Sequence, residues 1–148
     1  IRKLETGGKK VDEVFAPQSV VIHLDNDIDI SRGDAIVNAD NLPKVGNELE
    51  VLLCWLDEKP LQAGNKYFLQ HNSRLVKAVV KSIEYKLDVN TLQHQPVEGQ
   101  VKLNEVVKAS IKTASPLAYD VFDHLKVNGS AVLIDETGNS TVAAVLLK

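Results

Sequence analysis

The chain has 148 residues, 44% of them apolar and 25% charged, with a net charge of -3. That is the mix of an ordinary folded domain, long enough to bury roughly 70% of its unfolded surface; it excludes a disordered tail, a collagen-like repeat and a membrane protein. A single cysteine excludes an intrachain disulfide and a cysteine-rich zinc site, and 17 Lys and Arg against 20 acids disfavour a dominant nucleic-acid role.

Short runs of Val, Ile and Thr with period-two alternation predict an all-β protein. Residues 18–24 read as a strand with Val20, Ile22 and Leu24 on one face. Residues 11–15 suit one helical turn or a short strand. A strand over 35–37 is followed by Asn38-Ala39-Asp40-Asn41-Leu42-Pro43, rich in turn formers, which places a domain boundary there. The expected division is 1–42, an incomplete barrel, and 43–148, a complete one. Residues 48–56 form the next strand. Leu49, Val51, Leu53 and Trp55 face one way and Leu52, Cys54 and Leu56 the other, so burial on both sides is expected, with Cys54 a small core residue.

A short aromatic strand at 66–70 precedes a long one at 75–88. Its early apolar positions, Val76, Ala78 and Val80, are out of phase with Ile83, Tyr85 and Leu87, which predicts a β-bulge. Residues 105–113 alternate cleanly. Residues 130–135 and 141–147 flank a Gly-containing loop and predict a hairpin. Pro17, Pro43, Pro60, Pro96 and Pro116 are all expected between strands.

Recognisable chemistry is sparse. No glycine-rich phosphate loop of either standard spacing occurs, and Gly7-Gly8-Lys9-Lys10 reads as a hairpin tip. Asp25-Asn26-Asp27-Ile28-Asp29 opens like a calcium loop, but Ile30 and Ile36 stand where that loop needs Gly and Glu, so it reads as a solvated acidic turn. Arg32-Gly33-Asp34 reads as a turn. His23, His71, His94 and His124 lack metal-ligand spacing. No catalytic residues, bound cofactor or metal are expected; the residues describe a binding or interaction module. No signal peptide opens the chain and no long apolar run crosses it, which fits a cytoplasmic protein. The chain begins at Ile1 and contains no Met, so a piece of something longer is expected.

Ile28-Asp29-Ile30-Ser31-Arg32-Gly33-Asp34, followed by Asn38 to Pro43, resembles the large, GTPase subunit of bacterial sulfate adenylyltransferase, itself similar to translational GTPases such as elongation factor Tu. His71-Asn72-Ser73-Arg74 continues the resemblance where the family tends to read His-Thr-Thr-Arg. So does Asp88-Val89-Asn90-Thr91-Leu92, and Leu103-Asn104-Glu105 and Ile134-Asp135 fit too. One departure is Leu125-Lys126-Val127-Asn128-Gly129, where the family reads Asn-Arg-x-Thr-Gly: Lys126 keeps a charge but not the guanidinium fork.

The resemblance implies a GTPase domain, binding GTP and magnesium, before Ile1, and two barrels like the second and third domains of elongation factor Tu, the first lacking its opening strands. It implies a parent enzyme that couples GTP hydrolysis to formation of adenylyl sulfate and diphosphate from ATP and sulfate. The adenylyl transfer belongs to a separate small subunit. The present residues would dock that subunit and the GTPase domain, with no nucleic acid or membrane as partner. Asp88, Asn90 and Lys126 are candidate interface residues. His71 and Arg74 join them, because a His and an Arg so close at a strand end are rarely both buried without partners; the alternative for that pair is a locally satisfied turn. The alternatives are the equivalent region of a translation factor, binding tRNA or the ribosome, and an unrelated β-barrel ligand-binding module.

Overall fold

The computed structural model describes residues 1–148 and is all-β, in two compact units, Ile1–Asp34 and Ala35–Lys148.

In the first unit, β1 (Lys3–Thr6) lies between β2 (Lys9–Val11) and β3 (Val21–His23), antiparallel to both. Gly7 and Gly8 link β1 and β2 with φ of 55° and 74°. Two successive positive φ values make the tight turn whose twist suits a hairpin, and side chains there would be strained. Ile22 is half-buried while Val21 and His23 are exposed, the alternation read from the sequence. The strand itself is shorter than 18–24: it is an edge strand, and β1 offers it only three partners. Beyond Val11, residues 12–15 adopt neither helix nor strand. Gly33, at φ 103°, sits between Arg32 and Asp34 in a tight turn, and the Asp34 carboxylate accepts the Ser31 N–H at 2.8 Å.

The second unit is a closed barrel. Its strands are β4 (Lys44–Trp55), β5 (Lys66–His71), β6 (Arg74–Leu87), β7 (His94–Gln95), β8 (Val106–Tyr119), β9 (Ser130–Ile134) and β10 (Thr141–Leu147). The order β5-β9-β10-β4-β8-β6 closes through a β5–β6 pairing, and β7 extends β6 outside the ring. Closure leaves no long edge in the ring unpaired. All pairs are antiparallel, so alternate residues point inward. Leu49, Val51, Leu53 and Trp55 of β4 meet Val107, Ala109 and Ile111 of β8, all at most 1% exposed. Each such Leu, Ile or Val contributes about 1.5–3 kcal/mol relative to leaving it in water.

A closed barrel has one interior, so β4 is not buried on both sides. Leu52 and Cys54 are half-exposed on its outer surface and Leu56 is exposed, which also removes Cys54 from the core. β6 bends where the phase flip requires it: its register with β8 shifts between Val80 and Ser82. The Lys81-Ser82 pair, both exposed, returns Ile83 toward the core.

Two expectations fail here for physical reasons. Residues 35–37 form no strand; they have no neighbouring strand to pair with, and Ile36 and Val37 are exposed. Pro116 lies inside β8, not between strands. It is tolerated because the β4–β8 register jumps there: Gly46 pairs Leu117 while Glu48 pairs Lys112. The chain bulges over the intervening residues, so no ladder bond needs the missing proline N–H. Thr113, 2% exposed, places its hydroxyl 2.9 Å from the Ser115 carbonyl inside this bulge. Leu61 and Val101, both fully buried, come from loops that exchange two main-chain hydrogen bonds of 2.9 and 3.0 Å and close one barrel mouth.

Candidate interaction surface at one end of the barrel

The barrel has two ends, and the strand registers assign each residue to one. The β5–β6 turn, the Pro116 bulge and residues 120–129 share the end where β4 begins, because Lys44 pairs Tyr119. Leu87 pairs Val106 and His94, so residues 88–93 share the other.

At the first end Asn128 is the organising residue. Its side-chain carbonyl accepts from Asn72 at 2.7 Å, and its amide nitrogen donates to the Asp120 carboxylate at 2.8 Å. Its main-chain carbonyl lies 2.9 Å from His71 Nε2. A carbonyl only accepts, so Nε2 carries a proton. His71 is 2% exposed. It is therefore a core residue that ties the β5 end to the 120–129 loop, which corrects the expectation that it faces outward. Its burial is possible because Asn128 supplies its ring N–H with an acceptor, and Arg74 is satisfied separately: it donates through Nη1 to the Pro116 carbonyl at 3.1 Å, taking up an acceptor that the bulge releases from the ladder.

Gly129 fixes the end of this loop. Its N–H donates to Leu125 and its carbonyl accepts from Leu147, both at 2.8 Å. A Cβ there would sit 2.3 Å from Phe122 Cα and 2.5 Å from Phe122 N. Only glycine fits against that backbone. Lys126, one turn earlier, is exposed, and its carbonyl accepts the Ser130 hydroxyl at 2.9 Å.

The loop so anchored forms one wall of a groove of about 600 Å³; residues 35–43 form the other. Ile36, Val37, Pro43 and Leu125 give it an apolar lining, and Asp120, His124 and Asn128 a polar side. These apolar side chains are open to solvent: Ile36 is 53% exposed, Val37 44% and Leu125 50%, and Leu42, next to Pro43, is 67%. Clustered apolar exposure of this kind marks an interaction surface more often than scattered single residues do.

The structure does not bring the remaining two candidates here. Asp88 and Asn90 sit at the opposite end, where the Asp88 carboxylate accepts the N–H groups of Asn90 at 2.9 Å and Thr91 at 3.0 Å and the Gln95 amide at 3.2 Å. The Thr91 and Asn90 N–H groups hold its carboxyl below the ordinary range. Asp88 thus shapes a turn in which Leu92 has φ 58°. No group of three His, Cys, Asp or Glu side chains is placed to hold a metal ion, and no helix is long and apolar enough to cross a membrane.

Neither the Asn128–Asp120 pair nor the groove shows as a pattern in the sequence. The Asn128-Gly129 dipeptide was the available signal, since a glycine between a loop and a strand so often marks a close backbone approach.

Comparison with known proteins follows the same outline. A sulfate adenylyltransferase subunit 1 from Bacteroides fragilis is 35% identical over 99% of this chain, which covers 31% of that protein. A bifunctional enzyme CysN/CysC from Mycobacterium tuberculosis is 40% identical over 90% of the chain, here 22% of its length. The chain thus spans at most about a third of the curated relatives it matches. A solved structure of sup35 complexed with GDP superposes with a TM-score of 0.82 over 98% of this chain and 36% of its own, at 14% identity, a likeness of fold. The family model described as GTP-eEF1A C-terminal domain-like matches residues 48–148, nearly the whole barrel. The chain belongs to the GTP-eEF1A C-terminal domain-like family.

Proposed function

We propose that this chain is the barrel region of the large subunit of a sulfate adenylyltransferase and that it works as a docking and interdomain module. The observation that carries the reading is the extent of the similarity. Identity to sulfate adenylyltransferase subunit 1 runs over 99% of the chain, including residues 1–47 that the family model leaves out. The parent enzyme would form adenylyl sulfate from ATP and sulfate in the cytoplasm and drive that reaction with GTP hydrolysis. GTP and magnesium would bind a GTPase domain outside this chain, and residues 1–42 would be the latter part of a first barrel distinct from that domain. The partner would be the small subunit.

The apolar groove supports the docking role. The 120–129 wall is held by main-chain and partly buried side-chain hydrogen bonds, so that side of the surface is pre-organised, and ordering it costs little when a partner binds. Lys126, next in sequence to the groove residue Leu125, is an exposed positive charge. Such charges steer association more than they hold it. The test is titration of the purified chain with the small subunit of sulfate adenylyltransferase from the same organism. Saturable one-to-one binding, weakened at least about tenfold by Leu125→Glu in the centre of the groove, supports the reading. Absence of binding, or equal binding by the variant, overturns it.

A further inference from the structure

On the outer wall of the barrel, away from the groove just described, the strand registers assemble a strip of lysines. Lys66 of β5 pairs Val79 of β6, and Val79 pairs Lys112 of β8. Their inward neighbours Tyr67, Ala78, Val80 and Ile111 are buried, so Lys66, Val79 and Lys112 point outward in one rung. Adjacent strands lie about 4.8 Å apart, so the two lysines flank Val79 at about 10 Å from each other. Lys77, two residues along β6, adds a third charge on the same face. These residues line a shallow groove of about 430 Å³ floored by Val79 and Ala114, and Glu136 is the single acid in its lining. Lys112 shares Glu48 with Lys81, at 3.7 and 3.0 Å. Lys66 and Lys77 have no acidic partner and are exposed. In a chain whose net charge is -3, this concentrates positive charge on one wall.

We infer that this wall binds an extended acidic polypeptide segment in which acidic and apolar side chains alternate. Charge complementarity selects the acidic residues, whose carboxylates would take the free ammonium groups of Lys66 and Lys77. The Val79–Ala114 floor selects apolar residues between them. An extended segment sends successive side chains to opposite faces, so its apolar residues would rest on the Val79–Ala114 floor while its carboxylates, on the other face, would be met by the long flanking lysines reaching up around its edges. Nucleic acid fits less well: no aromatic ring lines the groove for base stacking. The inference does not depend on which larger protein carries the chain.

The experiment is fluorescence anisotropy of the 148-residue chain with a labelled octapeptide of alternating Glu and Val, at low salt. An octapeptide of alternating Gln and Val, and single-stranded dT8, serve as competing probes. The acidic peptide is expected to bind at least about tenfold more tightly than the Gln peptide, and to lose about tenfold in affinity in the K66Q/K77Q variant. Both side chains are exposed, so the variant should melt with the parent; if it does not, K66Q and K77Q are read singly. Equal binding of the Glu and Gln peptides, tighter binding of dT8, or unchanged binding by the lysine variants would overturn the assignment.

Discussion

Gly129→Ala is the sharpest single perturbation of the barrel end. The added methyl would lie 2.3 Å from Phe122 Cα, 2.5 Å from Phe122 N and 2.9 Å from the Leu125 carbonyl oxygen. All three are backbone atoms, so no side-chain rotation relieves the contact. Phe122 or Gly129 must move by about 1 Å to reach an ordinary contact. That displacement breaks the main-chain hydrogen bonds Gly129–Leu125 and Leu147–Gly129, both 2.8 Å. Overpacking costs about 1–3 kcal/mol and each lost hydrogen bond about 0.5–1.5 kcal/mol, so about 3 kcal/mol is expected. For a domain of this size that is a large part of the total stability, since about 5–15 kcal/mol is usual. Urea unfolding followed by Trp55 fluorescence reads it, and a slope near 1.5 kcal/mol per molar turns it into a midpoint shift of about 2 M. A midpoint within about 0.3 M of the parent would refute the close approach and with it the rigid loop that walls the groove.

His71→Leu keeps the volume but removes the donor to Asn128. The Asp120 N–H still reaches that carbonyl at 3.2 Å, so the cost should fall near the low end, about 1 kcal/mol, by urea unfolding; a stabilised variant would show that the bond is not made. Tyr67 has its hydroxyl pushed up to about 12 by burial, with Asp135 and Asp57 adding to the effect. A raised folded value means its stabilisation is whole below the unfolded value of 10.0 and is lost as pH rises through about 12. Tyr67→Phe should therefore gain on the parent between pH 8 and pH 11 in urea midpoints, and a constant difference across that range would contradict this. Asp135 is depressed by the Gly138 N–H and the Thr137 hydroxyl, so its contribution is present above the ordinary 3.8 and lost as pH falls through the lower folded value. Asp135→Ala should thus lower the thermal midpoint at pH 7 and converge with the parent at acid pH; parallel curves down to pH 2 would refute it.

How much of this was legible in the sequence depends on what each residue answers to. The inward stripe of β4 and the bulge in β6 were readable because alternation records a sheet with one buried face. Leu52 and Leu56 misled because alternation reports apolarity, and a barrel wall tolerates apolar residues on its outside when no second layer covers them. Pro116 was misplaced because a proline marks a strand end or a bulge with equal force, and only the β4 register decides between them. His71 was misread because its acceptor, Asn128, is 57 residues away. Asp88 and Asn90 were singled out through family resemblance, and the structure gives them a local task in a turn. The groove was invisible for a topological reason: residues 35–43 and 120–128 become neighbours only once the barrel closes.

The proposed role of the groove in GTP-coupled sulfate activation can be read in the complete two-subunit enzyme: adenylyl sulfate formation is measured alongside GTP hydrolysis, with and without Ile36→Glu and Leu125→Glu. The parent is expected to form adenylyl sulfate in a GTP-dependent reaction. The double variant is expected to lose at least about tenfold in that coupling, with barrel stability unchanged because both side chains are half or more exposed. A parent that makes no adenylyl sulfate, or a double variant that couples as the parent does, would contradict it.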